Sequence, residues 1–346
     1  MEAPFSKFGR VLFASLATFV LACLASCGSS ASKVDEFLPS RIVVIGDSYS
    51  YLGSSANGYK DRITVNDGGA VTDGSNVNNW VLQIAGGYAL SKVLADGKIV
   101  SGIVDSATAA STRIDTTCHP TTYDADTKTD FKVADIVKQI DCASISLAST
   151  DLLLVNGGVV DIYTLAEQVI APASTTTQAA AEEAARARGN ALRDYVKNLI
   201  ATTAVKHIML LSVPSLDGSP YQLSGTTAQQ TARQTALIGI TDAFNTGLFE
   251  NFGSQPAGSG VRSFYSDNAF KSSTTLVSLG INMLNSKFCD GSGNKLANPK
   301  VEAGNTGCTD ANNAAYKYAT EKYPTPVMHR LLGNMVYNTM RGYSGW

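Results

Sequence analysis

The segment that most constrains this chain is Arg41–Ser50, which runs Arg-Ile-Val-Val-Ile-Gly-Asp-Ser-Tyr-Ser. Ile42 to Ile45 form an apolar run rich in β-branched residues, which predicts a buried β-strand. Gly46 permits a tight turn after the strand, so Ser48 is expected at the strand's carboxyl end, opening the next helix. Open α/β sheets bind their ligands at this edge. The segment therefore predicts a strand that delivers a serine hydroxyl to a ligand site.

Strand-like and helix-like segments alternate along the rest of the chain. The predicted strands are Lys98–Val104, Asp151–Val155, Lys206–Val213 and Val261–Ser266, and the predicted helices are Asn79–Leu94, a stretch within Val133–Leu147, Ala179–Thr202, Thr226–Asn251 and Thr325–Arg341. Thr325 as N-cap and Pro326 at the first position favour the start of the last helix. The alternation predicts an α/β fold, a doubly wound parallel sheet flanked by helices in three layers. Without an internal repeat or a clear linker, residues 41–346 are expected to form one domain.

The first residues have the pattern of an export signal. Lys7 and Arg10 precede a short apolar core from Val11 to Ala22, and Leu24-Ala-Ser-Cys27 follows it. Small residues before a cysteine that can carry acyl chains predict a lipoprotein signal peptide over residues 1–26. An ordinary secretory signal and a membrane helix are the alternatives, but the apolar run is short for a membrane span.

Cleavage at this pattern would leave Cys27 as the first residue of the mature protein. Its lipidation would anchor the chain in a membrane, with residues 27–40 as a polar tether. Gly28 occupies the position after the cysteine, and bacterial lipoproteins without Asp there usually reach the outer membrane. The sequence therefore predicts an outer-membrane lipoprotein.

Four cysteines remain besides Cys27, and an even number in an exported chain favours disulfides. Four cysteines allow three connectivities. The sequential one is favoured because each bond closes a loop rich in glycine and polar residues, with buried free thiols as the alternative. The expected pairs are Cys118–Cys142 and Cys289–Cys308.

Charge and motifs exclude several other functions. The formal net charge is −2 without a basic block, so nucleic acid is not an expected partner. Asp124, Asp126 and Asp130 are spaced like a calcium loop, but Lys128 occupies a ligand position, and a solvated acidic loop is favoured. No phosphate-binding loop and no Cys-x-x-Cys or His-rich metal pattern occurs. No cofactor and no metal are predicted.

Blocks of the chain resemble those of the SGNH (GDSL) hydrolases, a family of serine esterases and lipases. Gly46-Asp-Ser48 resembles the first motif, Leu152–Asp161 the third block, His207–Pro214 a later strand, and Ala319–Gly333 the final block. The match is closest to exported lipases and esterases of Gram-negative bacteria. The resemblance implies a three-layer α/β fold and hydrolysis of a small-molecule or lipid ester, with Ser48 as the nucleophile.

The blocks also depart from the family pattern at the positions that carry the chemistry. In that pattern a histidine activates the serine, an aspartate three residues earlier orients it, and an asparagine donates to the oxyanion. Tyr323 occupies the histidine position, Thr320 the aspartate position and Val160 the asparagine position. The backbone N–H groups of Ser48 and Gly158 remain as candidate oxyanion donors. These changes predict a loss of several orders of magnitude in rate.

Three histidines are available as a substitute base. His119 lies in the wrong part of the chain, and His207 opens a predicted strand. His329 falls in the first turns of the last helix, on the flank of an apolar stripe. A structural role at the helix edge is favoured for His329, with a role as substitute base as the alternative. Two functions therefore stay open: a serine ester hydrolase with an unconventional base, and a degenerate SGNH-fold protein that binds a lipid, glycan or protein.

Overall fold

The computed structural model describes residues 36–50, 79–90, 99–101, 136–142, 144–250, 252, 260–271, 273–287, 315–319 and 321–343. At residues 48, 99–101 and 142 only the backbone is described. Nearly all of these residues belong to one compact unit, Leu38–Ser344. The predicted signal peptide and the cysteines Cys27, Cys118, Cys289 and Cys308 lie outside the described residues.

Five parallel strands form the main sheet. They are β1 (Arg41–Gly46), β2 (Ile99–Ser101), β3 (Asp151–Asn156), β4 (His207–Leu211) and β5 (Gly260–Phe264). Their spatial order is 2-1-3-4-5, and every neighbouring pair is parallel. This is the flavodoxin-like doubly wound order, so the predicted fold class is confirmed. The order reverses between β1 and β3, which places the expected ligand crevice at the carboxyl ends of these two strands.

The remaining described elements are eight α-helices, two 3₁₀ turns and a small second sheet. The helices are α1 (Trp80–Gly87), α2 (Gln139–Cys142), α3 (Val159–Ile170), α4 (Gln178–Thr202), α5 (Thr227–Phe249), α6 (Asp267–Phe270), α7 (Ser273–Ser278) and α8 (Pro326–Arg341). The second sheet pairs β6 (Met283–Lys287) with β7 (Tyr316–Tyr318) in parallel. Helices α4, α5 and α8 match their predictions closely, whereas α3, β6 and β7 were not predicted. The expected helical stretch within Val133–Leu147 is only a 3₁₀ turn followed by the short α2.

Both faces of the central strands are covered. Successive side chains of a strand point to opposite faces, yet every residue of β3 is buried. On one face, Val43, Ile45, Leu153 and Val155 belong to the core formed with α3, α4 and α5. Helices α1 and α8 pack on each other, and α8 contacts β5. The sheet is therefore the middle of three layers. The loops that carry the site lie at the carboxyl ends of its strands.

Helix α8 begins as the sequence predicts. The Thr325 side chain accepts a hydrogen bond from the Met328 N–H, and Pro326 occupies the first position of the helix. One expectation is wrong: His329 is not at the helix edge but buried at 1% exposure. The physical reason is that α1 covers this side of α8, with Gly333 in close contact with the Trp80 carbonyl.

No described helix has both the length and the apolar character needed to cross a bilayer. Nor do the described residues contain a group of three or more His, Cys, Asp or Glu side chains arranged to hold a metal ion.

Candidate active site

The turn after β1 is fixed by contacts that only glycine allows. A Cβ at Gly46 would lie 2.3 Å from the Asn156 carbonyl oxygen and 2.7 Å from the Ser50 hydroxyl. The Gln139 side chain holds the same glycine by two hydrogen bonds, accepting from its N–H at 2.9 Å and donating to its carbonyl at 2.8 Å. The backbone then forms a 3₁₀ turn over Ser48–Ser50. Ser48 therefore stands at the carboxyl end of β1, at the switch point of the sheet.

Asp47 joins this turn to helix α3. Its carboxylate is fully buried and accepts the Tyr49 N–H at 3.0 Å and the Val159 N–H at 2.8 Å, with a further contribution from the Val160 N–H. Burial raises the pKa of this carboxyl to about 7, although the backbone donors act in the opposite direction. Gly158, the N-cap residue of α3, has no side chain to bond the first turn. Asp47 therefore caps α3 from another part of the chain.

Gly158 has a backbone conformation that other residues rarely adopt. Its φ is +115°, and a Cβ there would lie 2.4 Å from the Phe244 ring. Its carbonyl accepts the Ile162 N–H, and its own N–H has no partner in the part of the chain that the structure describes. Val160, two residues further, has an apolar side chain and therefore no side-chain donor. The backbone of Gly158 is thus held rigidly next to the end of β3, and its N–H group is available as a donor.

The final block packs against the turn through Tyr49. The Tyr49 hydroxyl donates to the Lys322 carbonyl at 2.7 Å, and its ring lies 5.9 Å from the Tyr323 ring and 6.2 Å from the His329 ring. Segments almost 280 positions apart in the sequence are therefore in contact. The structure brings Tyr323 and His329 next to the turn that carries Ser48.

Lys322 ties the same block to helix α3. Its ammonium pairs with Glu167 at 2.5 Å and lies 5.0 Å from the Tyr163 ring centroid and 4.7 Å from the Tyr221 centroid. Cation–π contacts of this kind stabilise a partly desolvated ammonium. The segment that contains Lys322 and Tyr323 is consequently held by contacts with Tyr49 and with helix α3.

His329 is in a poor environment for a base. Neither of its ring nitrogens has a hydrogen-bond partner among the described residues, and the side chain is buried. Burial, and to a lesser extent Arg330, lowers the pKa of the imidazole to about 3. An imidazole with a pKa this low is a weak base, so it is poorly suited to accept the Ser48 proton.

The other histidines do not supply an alternative within the described structure. His207 is the first residue of β4, at the amino edge of the sheet, while Gly46 ends its strand at the carboxyl edge. His119 and Thr320 lie outside the described residues.

Two polar residues at the site were missed in the sequence. In the sequence, Asp47 is part of the Gly-Asp-Ser motif, and Asn156 directly follows the predicted strand Asp151–Val155. Asn156 pairs in register with Gly46 and accepts the Ser50 hydroxyl at 3.3 Å through Oδ1. A polar residue that directly follows a buried apolar strand was the available signal, because that position faces the ligand edge of a parallel sheet.

Comparison with known proteins returned little. No protein-family model matches the chain, and no curated protein matches its sequence. Among solved structures, Axe2, an acetylxylan esterase from Geobacillus stearothermophilus, matches with 12% identity and a TM-score of 0.38, covering 90% of this chain and 97% of its own. A likeness this weak carries no argument about the site. The fold rests on the strand order, and the site rests on its own geometry.

Proposed function

We propose that this protein is an SGNH-type hydrolase that cleaves carboxylic esters with Ser48 as its nucleophile. The observation that carries the proposal is the position of Ser48. It follows a turn that Gly46 and Gln139 fix at the carboxyl end of β1, beside β3, where doubly wound sheets bind their ligands.

The proposed reaction has two steps. The Ser48 hydroxyl attacks the ester carbonyl, the alcohol leaves with a proton, and an acyl-enzyme forms on the serine oxygen. Water then attacks the acyl group, and the carboxylic acid leaves as the serine regains its proton. The N–H groups of Ser48 and Gly158 donate hydrogen bonds to the negatively charged oxygen that forms in each step.

The rate is expected to be low. A serine hydroxyl is a weak nucleophile unless a base takes its proton. Tyr323 is at the histidine position of the family pattern that the sequence resembles, and His329 is buried without a hydrogen-bond partner in the part of the chain that the structure describes. We therefore assign proton removal at Ser48 to solvent, with His329 making a minor contribution at most.

A second candidate function is binding without turnover. Its support is the same pair of residues, Tyr323 and His329, because a site without an effective base can still bind a ligand. In this case the protein would bind a lipid, glycan or protein at the carboxyl edge of the sheet. The two candidates share a site and differ in whether Ser48 forms a covalent bond.

The N-terminal sequence pattern supports a proposal for the location of the protein. We propose that Cys27 carries acyl chains that anchor the protein in the outer membrane, on its periplasmic or outer face. Labelling of growing cells with a palmitate analogue should tag the protein, and Cys27→Ser should release it in soluble form. Unlabelled protein in the periplasm would contradict the anchor.

An ester assay tests the activity. Purified protein is incubated with short-chain and long-chain p-nitrophenyl esters beside Ser48→Ala, with Ser278→Ala as a matched control because Ser278 is an exposed residue at the end of α7. Slow hydrolysis that Ser48→Ala abolishes and Ser278→Ala preserves is the expected result. Ester binding without any Ser48-dependent hydrolysis would favour the second candidate.

A further inference from the structure

Asn156 is bonded to residues on both sides of Ser48. Its backbone carbonyl accepts the Asp47 N–H at 3.1 Å, and its side-chain Oδ1 accepts the Ser50 hydroxyl at 3.3 Å. The side chain is almost fully buried, at 1% exposure. The amide therefore lies against the Ser48 turn and is held there by Ser50.

The Nδ2 group of the Asn156 side chain has no hydrogen-bond partner among the described residues. A side-chain Nδ2 group carries two N–H donors, and that of Asn156 donates to no group in the part of the chain that the structure describes. An uncommitted donor at the switch point of the sheet is available to a ligand atom.

A side-chain donor at this place would replace one that the chain lacks at Val160. In the family pattern a side-chain amide donates to the oxyanion from the position that Val160 holds here, and valine has no donor. Asn156 is four residues earlier, at the end of β3, and pairs in register with the glycine of the turn. Asn156 ends β3 and Val160 follows it, so both positions lie near the carboxyl end of the same strand.

We propose that Asn156 is a catalytic residue that supplies the side-chain oxyanion donor which Val160 lacks. Its Nδ2 donates a hydrogen bond to the ester carbonyl oxygen as that oxygen gains negative charge, and no proton is transferred. Ser50 is a positioning residue, because its hydroxyl holds Oδ1 and so turns Nδ2 away from Ser50. The inference rests on the proposed role of Ser48.

The decisive variant is Asn156→Asp, which keeps an oxygen for the Ser50 hydroxyl and removes the N–H donors. For p-nitrophenyl acetate, kcat should fall about 10²-fold, as for loss of one oxyanion donor elsewhere, while KM changes little. Affinity for phenylboronic acid, which forms a tetrahedral adduct with serine, should fall as well. Ser50→Ala should lower kcat much less.

Thermal melts establish that each variant is folded, and Asn156→Ala replaces Asn156→Asp if the buried carboxylate prevents folding. Unchanged kcat and boronic acid affinity in a folded Asn156 variant would overturn the inference and leave the role of Ser48 intact. An equal loss in Ser50→Ala would also overturn it, by showing a structural role. If the unmodified protein neither hydrolyses the ester nor binds the boronic acid, the proposed function fails and the inference fails with it.

Discussion

The Asp47 carboxylate accepts the Val159 N–H at 2.8 Å, so a residue of the turn after β1 caps the helix that follows β3. One buried group thereby fixes two adjacent segments at the switch point of the sheet. Because Gly158 offers no side chain of its own, the first turn of α3 depends on Asp47 for its side-chain cap.

Asp47→Asn should destabilise the protein. The amide keeps one oxygen, but its NH₂ group faces a backbone donor where the second carboxylate oxygen was. We expect the free energy of unfolding at pH 8 to fall by about 1–2 kcal/mol, measured by urea denaturation. Asp194→Asn is the matched control, because the Asp194 side chain is 62% exposed. A loss of similar size in both variants would contradict the capping role.

The same substitution should change the pH dependence of stability. The pKa of Asp47 is raised from 3.8 to about 7 in the folded protein, so between these values the folded state binds a proton that the unfolded state has released. This contribution stabilises at low pH and is lost as the pH rises to 7. The stability difference between unmodified protein and Asp47→Asn should therefore be larger at pH 5 than at pH 8. A difference that grows with pH would show that the carboxyl is not shifted upward.

The pKa shift of His329 should change the pH dependence of stability in the opposite direction. Its pKa is lowered from 6.5 to about 3, so between these values the unfolded state binds the extra proton and stability falls as the pH falls. His329→Phe removes two unpartnered nitrogens and keeps a ring. We expect a gain on the order of 1 kcal/mol at pH 7 and a smaller loss of stability between pH 7 and pH 5, both from urea denaturation.

His207→Gln serves as the control for that variant, because His207 lies at the amino edge of the sheet; it should leave the acid loss of stability largely in place. If His329→Phe instead abolishes hydrolysis while the protein stays folded, His329 is the base at Ser48 and the burial argument is wrong.

Gly158→Ala should be among the more damaging single changes. The residue has φ +115°, and a methyl group would meet the Phe244 ring at 2.4 Å. Backbone strain and overpacking together should lower the free energy of unfolding by about 3 kcal/mol. Gly86 in α1 has no atom within 4 Å of such a methyl group, so Gly86→Ala should instead stabilise by about 0.5–1 kcal/mol. Chemical denaturation of the pair decides, and equal effects would refute the packing argument.

The cysteines give a prediction that needs no activity. Mass spectrometry of non-reduced peptides should link Cys118 to Cys142 and Cys289 to Cys308. Closed loops of this size stabilise by roughly 3 kcal/mol each, so reduction should lower the melting temperature. Four alkylatable thiols in exported protein, or crossed pairs, would disprove the sequential connectivity.

Local sequence patterns predicted much of the fold. The apolar run Ile42–Ile45 forms β1, and the Thr325-Pro326 pair begins α8 as expected. Both are local signals, since burial of a strand and capping of a helix depend on a few neighbouring residues. Alternating strands and helices were enough to predict the doubly wound sheet.

Features that depend on distant contacts were not predictable. Helix α3 was missed because its N-cap is Gly158 and its capping carboxylate comes from Asp47, more than 110 positions earlier. The burial of His329 depends on α1, which covers that side of α8. Pairing of β6 with β7 is likewise a contact between separate segments. No local pattern contains this information.

Rebuilding the family residues offers an independent test of the missing base. Thr320→Asp with Tyr323→His restores an Asp-x-x-His pair, and Val160→Asn adds a side-chain donor. Each restored part is worth roughly a few kcal/mol of activation barrier in serine hydrolases, so ester hydrolysis should rise measurably in the triple variant. The same variant with Ser48→Ala is the control and should show no rise. A folded triple variant without any gain would show that something other than these positions limits the rate.

The central claim is that Ser48 is the nucleophile, and covalent labelling tests it most directly. Purified protein is treated with a fluorophosphonate probe, digested, and analysed by mass spectrometry for the modified residue. We predict a slowly formed adduct on the Ser48 peptide that is absent from Ser48→Ala. No adduct on that peptide after prolonged exposure, or labelling that persists unchanged in Ser48→Ala, would contradict the account.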